Sequence, residues 1–112
     1  MYYDDDRFHP VSRLYRKRFP RLVSDHVFDK LRTVDMALGE FVAMLNDAET
    51  PPEVIAEAWE SETELKELVL LLQWHRPLHV SIVVDEAREQ ERVVTVYEPY
   101  PSEWTADYRR RR

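Results

Sequence analysis

The sequence predicts an α+β domain, with helices first and an antiparallel hairpin after them. From Ser24 to Leu45 apolar residues recur at helical spacing behind capping residues. From Leu78 to Tyr97 they alternate with period two on either side of a polar turn. The 112 residues, 44% hydrophobic and 12% aromatic, suit one folded domain with a single small core.

Residues 1–20 read as a basic N-terminal extension in which HPVSRLYRKRFP, bracketed by Pro10 and Pro20, forms one or two helical turns. Ser24 is an N-cap, with Asp25 in the first turn and Val27, Phe28 and Leu31 at helical spacing. Asp35 is placed to cap a second helix whose apolar stripe is Leu38, Phe41, Val42 and Leu45. Gly39 inside that stripe points to close packing rather than a turn.

The stretch PPEVIAEAWESETELKELVLLLQWHRP carries two readings. Propensity favours one helix from Glu53 to Gln73. The interruptions at Ser61 and Thr63 and the apolar run Leu68 to Leu72 favour two strands, roughly Val54 to Glu60 and Glu67 to Trp74, joined near Glu62.

Beyond Pro77, Leu78, Val80, Ile82 and Val84 alternate with His79, Ser81, Val83 and Asp85. After EAREQE, Val94 and Val96 alternate with Val93, Thr95 and Tyr97, which predicts a hairpin that Pro99 and Pro101 end. Ser102 can cap a short C-terminal helix carrying Trp104, Asp107 and Tyr108. With Glu86 to Gln90 as the loop, His79 faces Tyr97 and Ser81 faces Thr95, with Cβ atoms about 4.5–5.5 Å apart. One face of the hairpin is then polar and free for substrate, while Val80, Ile82, Val94 and Val96 take the helices.

The chain has no cysteine, which excludes disulfides, thiolate zinc sites and cysteine nucleophiles. No metal or cofactor is expected, because the histidines lack carboxylates at ligand spacing. Leu68 to Leu72 is far short of a membrane span, and the start MYYDDDRF is acidic where a secretory signal is basic, so a soluble cytoplasmic protein is expected.

The net charge of −6 is segregated. Arg7, Arg13, Arg16, Lys17, Arg18 and Arg21 form a basic arm, Arg109 to Arg112 a basic tail, and the middle is rich in glutamate. At a Debye length of about 8 Å such an arm still attracts anions locally. Phe8, Tyr15 and Phe19 within it either stack on bases or anchor the arm to the core. The acidic and basic stretches are also complementary, which is compatible with a homodimer or a charged partner.

"RPLHVSIVVDE…RVVTVYEPYPSEW" resembles the C-terminal half of the domain-of-unknown-function family 4258, whose members carry an Arg-Pro-Leu-His strand, then Thr-Val-Tyr-x-Pro and a Trp. Upstream, His26 through Arg32 resembles the family's first helix, Asp35 to Asp47 its second and Ile55 to Glu60 its first strand. Thr33-Val34 stands where the family has a glycine between helices. The resemblance covers about residues 24 to 108. It implies two N-terminal helices packed on one face of an antiparallel sheet of about four strands, with a short C-terminal helix. It thereby favours strands in the middle segment, within a domain over 21–108 that leaves 109–112 as tail. It also implies a fold analogy to toxin ribonucleases of the RelE, BrnT and MqsR kind, which cleave RNA without metal and are neutralised by an antitoxin.

On that expectation the chain is a metal-independent endoribonuclease of a toxin–antitoxin system. Such cleavage needs an acid, a base and positive charge on the phosphorane. His79 would act as acid or base, Tyr97 would position or share the proton, and Arg76 would stabilise the phosphorane, with His26 as a further acid or base. Arg32, Ser81, Thr95, Trp104, Arg16 and Arg18 would contact the RNA. Because the glutamate-rich middle repels phosphate, two alternatives stand beside it: a non-catalytic protein-interaction module, and a nucleic-acid-binding protein without cleavage.

Overall fold

The computed structural model describes residues 8–112. In chain order the elements are β1 (His9–Leu14), β2 (Arg21–Val23), α1 (Asp25–Thr33), α2 (Leu38–Leu45), β3 (Glu53–Trp59), β4 (Glu64–Leu71), β5 (Leu78–Asp85) and β6 (Gln90–Tyr97). The strands form one six-stranded mixed sheet in the order β1-β3-β4-β5-β6-β2, antiparallel throughout except for the parallel β2–β6 pair.

This corrects the expected fold on three counts. The sheet has six strands rather than about four, two of them precede the helices, and no helix closes the chain. HPVSRL is a strand because Pro10, which has no N–H to donate, is compatible with a sheet edge. After Pro99 the chain runs in turns held by a Trp104–Arg111 bridge. There Asp107 accepts the Thr105 hydroxyl and the Arg109 N–H, local bonds that compete with helix formation.

Ser24 does cap α1, its hydroxyl accepting the Val27 N–H at 3.3 Å. Asp35 does not cap α2. It takes φ 58 and turns the chain between the helices, a left-handed conformation that Asp tolerates better than most residues. The cap position of α2 falls to Ala37, which makes no side-chain bond. A Cβ built on Gly39 would meet nothing within 4 Å, so that glycine marks no close contact. The middle segment is a hairpin, and its turn is fixed by the Ser61 hydroxyl accepting the N–H groups of Thr63 and Glu64.

The helices cover one face of the sheet, where Val27, Leu31, Phe41 and Leu45 join Val69, Val80, Ile82 and Val96 in the main core. On the other face Trp104 covers Ile55, Leu68 and Leu70, with Phe8 and Tyr108 packed alongside. Because β1 and β2 are the two outermost strands, residues 15–20 must cross the sheet from edge to edge. The crossing is a strap that bends at Phe19 and is held to the sheet by Tyr15 and Arg18, both bonded to Glu91. No helix among the described residues is long and apolar enough to cross a membrane.

Candidate functional site

The β5–β6 ladder pairs His79 with Tyr97 and Ser81 with Thr95, followed by a bulge between Ser81 and Ile82. Val80 and Ile82 point to the helices, so these four side chains share the opposite face. That face is not open to substrate as expected. His79 and Ser81 are wholly buried, and Thr95 and Tyr97 nearly so. The reason is the C-terminal segment. Trp104 meets the His79 ring edge-on at 4.3 Å between centroids, and Arg111 lies over the indole at 5.0 Å.

Both ring nitrogens of His79 are engaged. Nε2 lies 2.8 Å from the Tyr108 carbonyl and Nδ1 3.1 Å from the Tyr97 hydroxyl. A carbonyl only accepts, so Nε2 carries the proton and Nδ1 accepts from Tyr97. Burial pushes the His79 pKa down to about 4, the Tyr108 carbonyl opposing and nearby Arg111 adding to the shift. The imidazole is neutral at pH 7, with no nitrogen free to exchange a proton with substrate. Around it Ser81 Oγ, Thr95 Oγ1 and Trp104 Nε1 are buried without hydrogen-bond partners.

His79, Tyr97, Ser81, Thr95 and Trp104 are thus brought together. Arg76 sits at the same end of the strands, paired with Glu98 at 3.1 Å and stacked on Trp74 at 4.9 Å. His26 and Arg32 are exposed on α1, across the sheet from His79, and Arg32 lies 3.7 Å from Asp29. Arg16 is exposed in the strap. Arg18 turns inward instead, bonding Glu67 at 2.9 Å.

The strap carries a cluster that the sequence reading missed. Glu67 and Glu91 are fully buried on the helix side of the sheet. Arg13 binds Glu57 and Glu67, and Arg18 joins Glu67 through its guanidinium to Glu91 through its backbone N–H at 2.8 Å. Tyr15 donates to Glu91 at 2.6 Å and accepts from Arg21, which also reaches Glu91 at 3.3 Å and Asn46 at 2.9 Å. Burial, with Glu91 adding, raises the Tyr15 pKa well above the ordinary tyrosine value. Three arginines of the basic arm, Arg18 among those expected to contact RNA, therefore neutralise buried carboxylates. The alternation carries no signal for this, because it sets Val94 rather than Val93 against the helices. The β-bulge after Ser81 turns Val93 and Glu91 inward, and an acid buried there requires a cation.

No protein-family model, curated protein or solved structure matches the chain. Among the described residues no group of three or more His, Asp or Glu side chains is arranged to hold a metal ion.

Proposed function

We propose that this chain is a non-catalytic protein-interaction domain. One observation carries the reading: the histidine best placed for acid–base chemistry is buried, neutral and bonded through both nitrogens to its own chain. A general acid or base needs a nitrogen free to exchange a proton and a path to the reacting atom, and both nitrogens of the buried His79 are bonded within the chain. The arm and tail arginines fit the same reading, since Arg13, Arg18, Arg21 and Arg109 are matched to glutamates. The test is cleavage of a long unstructured RNA by wild type and by the His79→Ala, Arg76→Ala double variant. Equal cleavage by the two, at the level of a protein-free control, is expected. Cleavage that the double variant loses would overturn it.

A second reading, a metal-independent ribonuclease neutralised by an antitoxin, is favoured by the 3.1 Å His79–Tyr97 contact with Arg76 at the same strand end. It requires Trp104 and Tyr108 to withdraw so that RNA reaches His79. Trp104→Ala would then increase RNA cleavage, whereas the interaction reading predicts no activity in either protein.

A further inference from the structure

β1 is the outermost strand, and on its side away from β3 it pairs with no strand among the described residues. The Tyr15 N–H donates to the Pro52 carbonyl at 2.7 Å, so strand alternation turns the peptide groups of Leu14 outward. Pro10 and the bulge between Pro10 and Arg13 blunt the first half of this edge. The half at Leu14 has no such protection, and the Leu14 side chain is 54% exposed.

A groove flanks β1 on each face. The one beside the C-terminal segment, about 700 Å³, is lined by Val11, Ile55, Thr105 and Arg110 among others. The one on the helix side, about 480 Å³, is lined by Leu14, Arg16, Lys17 and Leu45 among others. A strand added to β1 would send alternate side chains toward the two grooves.

The charge left over at this edge is positive. Arg16, Lys17 and Arg110 are exposed and make no ion pair with a described residue. Against them stand three groove carboxylates: Glu53 and Asp107 share Arg109, and Asp47, bonded to the N–H groups of Glu49 and Thr50, keeps its charge. The four cations and three anions lining the two grooves leave one net positive charge. In a chain of net charge −6, this is a local cationic surface beside a strand edge that no strand among the described residues pairs.

We infer that the Leu14 end of β1 docks an extended acidic segment of a partner protein as a seventh strand, with carboxylates meeting Arg16, Lys17 and Arg110. This rests on the interaction reading above. Main-chain pairing supplies affinity, and the cations select acidic over basic partners.

The test is a titration of the full chain with a capped ten-residue peptide of alternating Glu and Val, followed by amide NMR. A Lys–Val peptide serves as control. Shifts concentrated at residues 9–17 and 105–110 are expected, with slowed exchange of the Leu14 amide. Arg16→Glu with Lys17→Glu should weaken binding about tenfold or more. Leu14→Pro should abolish it, and where that variant fails to fold the charge-reversed one carries the test. Equal binding of the Lys–Val peptide, shifts on another surface, or no binding at millimolar peptide would overturn the inference. So would a concentration-dependent dimer that protects the Leu14 amide without peptide, since the occupant would then be a second copy of the chain. Absent peptide binding together with absent RNA cleavage removes this edge alone, whereas RNA cleavage removes the interaction reading itself.

Discussion

The Tyr97 hydroxyl donates to Nδ1 of His79 across 3.1 Å, because Nε2 of the same ring is committed to the Tyr108 carbonyl. The bond joins neighbouring strands at a directly opposed pair, and the second bond ties the C-terminal segment to the sheet. His79 is thus a structural clasp between β5, β6 and the residues that cover them.

The clasp makes stability depend on pH. The folded pKa of about 4 lies below the ordinary 6.5, so between these values the unfolded chain binds more protons than the folded one. Stability is complete above about 6.5 and declines as pH falls toward 4, by about 2–3 kcal/mol from this ring. Urea unfolding of wild type and His79→Gln at pH 7 and pH 4.5 measures it. The wild type should lose that much more than the variant, and parallel losses would show that His79 does not contribute.

Trp104→Ala should destabilise the fold by about 3–5 kcal/mol, as for other large buried aromatics. Opening the cover hydrates His79, so its pKa should rise toward the ordinary value. Calorimetry reads the first effect and NMR titration of the variant the second.

Arg21, with 6% of its side chain exposed, and the fully buried Glu91 form the strap's inner ion pair. Arg21→Ala leaves the carboxylate short of a cation and should cost about 3 kcal/mol or more. Arg21→Met combined with Glu91→Gln should recover much of that loss, because no uncompensated buried charge remains. A double-mutant cycle by urea denaturation checks this, and additive losses would contradict it.

Gly39 lies within α2 with open space where its Cβ would be. Gly39→Ala should stabilise the protein by about 0.5–1 kcal/mol through helix propensity and a less flexible unfolded chain. Thermal melting reads it directly.

What was legible in the sequence was local. The Ser24 cap follows from side chains a few residues apart. The expected pairing of His79 with Tyr97 holds because a bulge at Val94 offsets a loop one residue shorter than Glu86 to Gln90, and it is Val93 rather than Val94 that joins the core. β1 and β2 were not legible, since each is specified by a partner far along the chain: β1 by β3 and β2 by β6. The same holds for the buried face of the hairpin. Alternation separates a polar from an apolar side, but only contacts from Trp104 and Tyr108 decide that the polar side is covered. The arginine arm was legible as charge but not as destination, because its buried partners Glu67 and Glu91 lie about fifty to seventy residues away.

His79 is a neutral structural residue rather than a proton-transfer group. Its imidazole nitrogen and carbon resonances, followed by NMR from pH 8 to pH 3.5 in the full chain, test it most directly. A single Nε2–H tautomer throughout the neutral range and a midpoint near pH 4 are expected. A midpoint near 6.5, or rapid exchange between tautomers at pH 7, would contradict it and restore His79 as a candidate acid or base.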